Sequence, residues 1–297
     1  MTWTQQLADE LGRRGVSARR RATILLEIED HIACEPASEQ RLGDPRELAA
    51  EFADELGTQA ARGAVQWVFG ALALTAGALA VSQLAIGSGG GYPGFDNGYS
   101  VALAIPAILL MFVAPQVALV AGSLALLRSL RRRRAPILPQ AEIDLLRRRA
   151  WVGAGAGLAC AIGLELYVID FLAVMHTTWI VLVGALSATA IVAICAAGAH
   201  LRATGRVIVG ASGPSGDIFD DLPLLGFLRG RPWLLCAIVA GGVGVLMAVA
   251  EWHAESSLSE GLQRGAFEGV AAAVGFLALG RAIGARSDDA GGHPVAD

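Results

Sequence analysis

The sequence is poor in charge and contains no lysine. Charged residues account for 17% of its 297 positions, hydrophobic residues for 54%, and all 23 basic residues are arginine. The mean hydropathy of +0.53 exceeds that of an ordinary soluble domain. The absence of lysine indicates a GC-rich genome, whereas the shortage of charge indicates an integral membrane protein.

Cysteine is scarce as well, and its spacing excludes two kinds of site. The four cysteines are Cys34, Cys160, Cys195 and Cys236. They form neither a CxxC pair nor a Cys/His ligand pattern, so the sequence supports neither a disulfide framework nor a zinc site. We expect all four to be small, buried apolar residues.

The motifs of the common enzyme classes are missing too. No HExxH, GxSxG or GK[ST] motif occurs, and no glycine-rich stretch follows a predicted strand. We therefore expect no enzymatic activity, no cofactor and no metal site. The glycine-rich stretches, such as GAGAGLACAIG, are better explained by close packing of membrane helices.

Long apolar stretches predict an all-α fold. Six of them are near or above the ~20 residues that a membrane-spanning helix needs. We expect a six-helix membrane bundle preceded by a cytoplasmic three-helix domain at 1–62 and followed by a disordered tail at 285–297. The predicted spans are 63–87, 99–128, 151–174, 178–200, 232–252 and 266–284, which together form a membrane domain at 63–284.

The distribution of arginine predicts the orientation. The polar head, the two long loops and the tail, counted together with the span ends next to them, hold 22 of the 23 arginines, and Arg264 is the one that falls on the other side. Positive residues concentrate on the cytoplasmic side of membrane proteins. We therefore expect a multi-pass protein of the bacterial inner membrane, without a cleavable signal peptide and with both termini in the cytoplasm.

Arginine-rich segments next to the spans predict contact with anionic lipid head groups. The stretch LPQAEIDLLRRRA combines apolar side chains with an arginine cluster, as in a helix that lies on a membrane surface. Because the RRRR run directly follows a span, membrane anchoring explains it better than nucleic-acid binding. The expected lipid contacts are Arg131, Arg132, Arg133, Arg134, Arg147, Arg148 and Arg149.

The head shows the pattern of three short amphipathic helices. Gly15 separates the first from the second, and Ser17 is placed to cap the second. In the third, Asp44 occupies the N-cap position, Pro45 the first turn, and Gly57 a position where the helix could end. Such a head can bury only a marginal core, so docking on a membrane or a partner would stabilise it.

The second head helix carries an unusual acidic cluster within LLEIEDHI. If its isoleucines face the core, Glu27 and His31 lie one turn apart on a flank, while Glu29 and Asp30 project elsewhere. The four groups then cannot converge on one ion. The cluster is a solvated acidic face, a surface that binds a protein partner or, least favoured, a metal or catalytic site.

The segments ILLEIEDHI and LGDPRELAAEFADELG resemble the HAAS signalling domain. The resemblance covers about the first 60 residues, with family-like positions at Glu27, Glu29, Asp30 and His31 and at the Gly43-Asp44-Pro45 turn. It implies a regulatory head on a bacterial membrane protein, often associated with a PadR-like transcription regulator. It supplies no catalytic residues.

Ionisable residues also occur at or near the predicted outer side of the membrane, where burial of charge is costly. They suggest either a site for a cation or cationic ligand, or ordinary interface polarity in which Glu165 pairs with a Ser or Thr of a neighbouring helix. On an ideal helix Glu165 and Asp170 point about 140° apart. The candidates are Glu165, Asp170, His176, Glu251, His253 and Glu268.

These patterns favour a regulatory or signalling membrane protein. Its acidic head would dock a cytoplasmic protein, without direct nucleic-acid binding, and its bundle would anchor the head or sense a signal. The alternative is a permease-like component of a transport system, which would require a continuous polar cavity through the bundle.

Overall fold

A computed structural model describes most of the chain as α-helix. It covers residues 2–35, 41–88, 101–170, 177–204 and 232–255, together with positions 207 and 210 and short pieces between 258 and 273. This part of the chain contains no β-strand. The helices are α1 (Trp3–Arg13), α2 (Ala18–Cys34), α3 (Pro45–Ser88), α4 (Val101–Arg131), α5 (Gln140–Asp170), α6 (Thr177–Thr204) and α7 (Pro232–Glu255).

Four of these helices, α3 to α6, are long and apolar enough to cross a membrane. α4 packs against α5, α5 against α6, and α3 against the other three. Two clusters of buried apolar side chains fill the space between them. The membrane character predicted from the sequence is therefore supported for the first four spans. The fifth predicted span lies within α7, and most of the sixth, like the tail at 285–297, lies outside the described residues.

The amino-terminal helices pack around the beginning of α3. Leu7 and Leu11 of α1 are fully buried against Ala49 and Ala53 of α3. The indole Nε1 of Trp3 donates a hydrogen bond of 2.9 Å to the carbonyl oxygen of Gly43. α1 is thereby fixed to the turn that precedes α3.

Two turns in this region are formed at glycines. Gly15 and Gly43 both have positive φ, at 80° and 73°, a conformation that glycine adopts without steric cost. Asp44 caps α3, since its Oδ1 accepts a 2.9 Å hydrogen bond from the backbone N–H of Arg46. Ser17 occupies the N-cap position of α2, but its side chain makes no capping hydrogen bond.

The expected end of the third head helix at Gly57 is wrong. α3 continues for 44 residues without a break, from Pro45 to Ser88. Gly57 is buried within it, and Thr58 and Arg62 on the following turn hold the loop between α4 and α5. Glycine often follows the last turn of a helix. Here the residues after Gly57 stay helical and make the tertiary hydrogen bonds of Thr58 and Arg62.

The expected surface helix at 138–150 is also wrong. Gln140 begins α5, which continues into the third predicted span without interruption. Ile143, Leu145 and Leu146 are buried within the protein instead of facing lipid. The amphipathic pattern is real, but the apolar side packs on neighbouring helices.

A buried ion pair joins the two helices on either side of the 132–139 loop. Arg128 Nε and Nη2 donate hydrogen bonds of 2.9 and 2.5 Å to Glu142 Oε2 and Oε1. Both side chains are only 3% exposed. This two-point contact fixes the carboxyl end of α4 against the amino end of α5.

Hydrogen bonds place the head, the 132–139 loop and residue 210 at one end of the bundle. Thr58 Oγ1 accepts a 2.9 Å bond from the N–H of Leu138, and Arg62 donates to the carbonyl oxygens of Arg132 and Ala135. The carboxylate of Asp54 accepts a 2.7 Å bond from the N–H of Gly210. The amino end of α3, the carboxyl end of α4 and the amino end of α5 therefore lie close together.

Small residues allow α4 and α5 to approach each other closely. A Cβ atom placed on Gly163 would lie 2.7 Å from the Cβ of Leu110 and 3.2 Å from the carbonyl oxygen of Ala107. By contrast, a Cβ on Gly155 of the same helix would meet no heavy atom within 4 Å. One glycine is therefore required by packing and the other is not.

The expectation that all four cysteines are buried is wrong for two of them. Cys160 and Cys236 are buried, whereas Cys34 and Cys195 are exposed. Cys34 lies in the last turn of α2, on the head. Cys195 lies on α6, which is long and apolar enough to cross a membrane, so its exposed side chain is compatible with contact to lipid.

Candidate functional site

α2 is the least buried of the head helices. Ile24, Leu25 and Ile28 pack as partly buried residues against the core formed by α1 and α3. No residue of the 17 in α2 is fully buried. The helix therefore has an inner face with modest apolar contact and a broad outer face open to solvent.

All four residues of the predicted acidic cluster are exposed. Glu27, Glu29, Asp30 and His31 make no side-chain hydrogen bond or ion pair with any other described residue. On an ideal helix Glu27 and Asp30 lie about 60° apart on the outer side, whereas Glu29 and His31 flank the inner stripe on opposite sides. The four groups thus share exposure but do not converge on one point.

No metal centre is found in the described part of the chain. Nowhere there do three or more His, Cys, Asp or Glu side chains come close enough to hold a metal ion. The acidic cluster belongs to this part.

Leu26 adds an apolar group to the outer face, and sequence reasoning missed it. Its side chain is 69% exposed and lies about 40° from Asp30 on the helix. Helical spacing in the sequence could have revealed this exposure. Leu26 is the large apolar residue of α2 that falls outside the apolar stripe, which consists of Ile24, Leu25, Ile28 and Ile32. We call Leu26, Glu27 and Asp30 the outer face of α2.

Glu165 has a partner on the neighbouring helix. Its Oε1 accepts a hydrogen bond from the hydroxyl of Ser187, which is fully buried and also lies 2.9 Å from the carbonyl oxygen of Val183. This arrangement is the interface-polarity alternative that the sequence left open. One polar contact of this kind links α5 and α6 within the apolar interior.

The other residues of the predicted outer-side site cannot be placed around Glu165. Asp170 ends α5, and Glu251 and His253 lie on α7, but their side chains are outside the described part. His176 and Glu268 also lie outside the described residues. A ligand site formed by this set stays a prediction.

The arginines predicted to contact lipid fall into two groups. Arg131 to Arg134, Arg147 and Arg148 are exposed or half-exposed at the loop end of the bundle, whereas Arg149 is fully buried. Nearby, the guanidinium of Arg202 lies 5.9 Å from the ring centre of Trp151, a cation–π contact. Tryptophan and arginine at one level are typical of a membrane–water interface.

Comparison with protein-family models, with curated proteins and with solved structures finds no match to this chain. The resemblance to the HAAS domain therefore rests on the two sequence segments that carry it. The outer face of α2 is the candidate site on which the structure adds most to the sequence.

Proposed function

We propose that this protein is a regulatory or signalling protein of the bacterial inner membrane. Its head docks a cytoplasmic protein through the outer face of α2, and its helical bundle anchors the head or senses a signal. The proposal includes the three-helix head, the six spans and the link to a PadR-like regulator that the HAAS resemblance implies.

The observation that carries the proposal is the exposure of Leu26 beside the carboxylate of Asp30, with Glu27 about 60° further around the helix. A large apolar side chain that is 69% exposed gains free energy when a partner covers it. Glu27 and Asp30 beside it have no ion pair within the described structure, so their charges are available to a partner. An apolar anchor bordered by charge is the usual composition of a protein-binding surface.

The chemistry of this face defines the partner. A complementary surface would offer an apolar pocket for Leu26 and arginine or lysine side chains for Glu27 and Asp30. Such charges speed association and select the partner, while the apolar anchor supplies most of the affinity. The same charges would repel nucleic acid.

Substitutions on this face are expected to weaken partner capture without unfolding the head. Leu26→Ala should lower the affinity about tenfold, since a truncated anchor costs more than about 1 kcal/mol. The double charge reversal of Glu27 and Asp30 to Arg should slow association most strongly at low salt. Cross-linking and pull-down of the full chain from cells, followed by binding kinetics with the captured protein, would measure both effects.

A matched control is Glu51→Arg on α3. Glu51 is exposed and belongs to the same head, but it lies on another helix. We expect this reversal to leave capture unchanged. If Leu26→Ala and the double reversal captured the same proteins as the unmodified chain and Glu51→Arg, the docking site would have to lie elsewhere.

Labelling of Cys34 tests the proposed orientation directly. Cys34 is exposed on the head, so a membrane-impermeant maleimide should react with it in permeabilised cells and not in intact cells. Cys34→Ser supplies the background from the other cysteines. Labelling of Cys34 in intact cells would place the head outside and overturn the cytoplasmic assignment.

The packing of the bundle favours anchoring over transport. Its described interior contains two clusters of buried apolar residues, among them Val68, Leu146 and Leu164, and a cavity of about 430 Å³ whose lining is almost entirely apolar. A permease would need polar groups in a cavity that runs across the membrane. The Glu165–Ser187 contact supplies one polar pair there, which suits helix association.

A further inference from the structure

A second surface of the head has the chemistry of a ligand site. A cleft of about 890 Å³ opens between α1, the first turn of α2 and the first turn of α3. Its volume lies within the range of roughly 300–1,000 Å³ that small-molecule sites occupy. The residues that line it are Gln6, Asp9, Gly12, Arg13, Arg21, Asp44 and Arg46.

Two of the three arginines in the cleft have no carboxylate partner. Arg13 forms an ion pair with Glu10, but the guanidinium groups of Arg21 and Arg46 have no carboxylate oxygen within 4.0 Å in the described part of the chain. Both are positive charges with unused donors that face the same space. A guanidinium fits a phosphate group with two parallel hydrogen bonds.

Arg21 extends over the backbone of α1. It lies on the inner side of α2, at the polar end of the stripe formed by Leu25, Ile28 and Ile32, and it is only partly exposed. Its guanidinium lies directly over Gly12, where any added Cβ would overlap with Nη1. The cation therefore borders the cleft on its α1 side and is partly shielded from solvent.

The cleft also contains groups that accept hydrogen bonds. Asp44 is occupied by its capping bond to Arg46 N–H, but Asp9 is exposed and makes no ion pair with a described residue. Gln6 can both donate and accept. A pure polyanion would be repelled by the two carboxylates, whereas a ligand with one anionic end and one donor-rich end suits both parts.

We infer that this cleft binds a nucleotide, with Arg21 and Arg46 on its phosphate. Asp9 and Gln6 receive the hydroxyl and amino donors of the sugar and base. Because the phosphate would join Arg21 of α2 to Arg46 of α3, the ligand would hold α2 against the rest of the head. Any effect of the ligand on partner docking at the outer face of α2 rests on the proposed function. Nucleotide binding itself does not rest on it.

Equilibrium binding of AMP and ATP to the full chain in lipid nanodiscs tests the inference without any partner. We expect saturable binding, with AMP bound at least tenfold more tightly than inorganic phosphate because phosphate cannot use Asp9 and Gln6. Arg21→Ala and Arg46→Ala should each weaken AMP binding by about 10- to 100-fold, the usual effect of losing a charge-assisted contact. Arg20→Ala, on an exposed neighbour outside the cleft, should bind AMP normally.

Gly12→Ala separates a ligand role from a folding role. Alanine is a better helix former than glycine, so this variant should fold, yet its methyl group displaces the guanidinium of Arg21. We expect weaker AMP binding with an unfolding midpoint that is unchanged or raised. Absence of saturable binding at millimolar AMP and ATP, equal affinity for phosphate, or wild-type affinity in both arginine variants would overturn the nucleotide assignment.

Discussion

Removal of one partner from the buried Arg128–Glu142 pair is expected to destabilise the protein by about 3–5 kcal/mol. Arg128 donates two hydrogen bonds to Glu142, and both side chains are almost completely buried. Glu142→Leu would remove the carboxylate that Arg128 contacts in the interior, and Arg128→Met would remove both of these hydrogen bonds from Glu142, which keeps only a longer contact of 3.9 Å to the exposed Arg132 among the ion pairs of this loop. Thermal unfolding of the purified protein in detergent should show either loss as a lowered midpoint.

Two further variants show whether the loss of stability comes from the broken buried ion pair or from any substitution at this end of the bundle. The double variant Arg128→Met, Glu142→Leu removes both charges and should recover most of the lost stability, because apolar replacements of a buried pair are often neutral. Arg147→Met breaks the exposed pair with Asp144, in which the closest atoms are 3.8 Å apart, and should cost no more than about 1 kcal/mol. Equal losses in the single and double variants would contradict the ion-pair explanation.

Replacement of Gly163 by valine is the second change with a large expected effect. The new Cβ would stand 2.7 Å from the Cβ of Leu110 and close to the carbonyl oxygen of Ala107. Neither neighbour can rotate away, so α4 and α5 would have to separate. We expect a loss of about 1–3 kcal/mol or more in the free energy of unfolding.

Gly155→Val is the matched control for this change. Gly155 lies on the same helix, is exposed, and has no heavy atom within 4 Å of an added Cβ. The control adds the same side chain to the same membrane-spanning helix, so its unfolding midpoint should remain close to that of the unmodified protein. If both variants lost the same stability, the close approach of α4 and α5 would not be the cause.

Local chemistry made several features predictable from the sequence. Asp44 was recognisable as a helix cap because Pro45 and a following acidic residue define the first turn, and the structure contains that cap. Gly15 was recognisable as a break between two amphipathic stretches, and the structure has a turn there in which this glycine has positive φ. Long apolar runs predicted membrane helices because a bilayer requires a minimum length.

Features that depend on tertiary contact could not be predicted in this way. An arginine next to a membrane span is usually a lipid contact, yet Arg149 is buried. Arg128 and Glu142 lie fourteen positions apart, and only the fold of the intervening loop brings them together. Gly57 is consistent with a helix end by local rules, but contacts made by Thr58 and Arg62 maintain the helix beyond it.

The candidate sites likewise combine features that follow from local sequence with features that depend on tertiary contact. Exposure of Glu27, Glu29, Asp30 and His31 follows from their positions outside the apolar stripe of α2. The role of Leu26 emerges only when its exposure is known, and the arginine cleft requires three separate helices to be placed. Sequence periodicity describes one helix at a time, so a surface made by several helices lies beyond it.

The unbroken course of α3 has a mechanical consequence. Its 44 residues extend about 66 Å as one rod, from the capped turn beneath α1 to the far part of the bundle. No break interrupts α3 between the head and the part that is apolar enough to cross a membrane. A partner that tilts or rotates the head would therefore also rotate the bundle end of α3, and a rearrangement of the bundle would move the head.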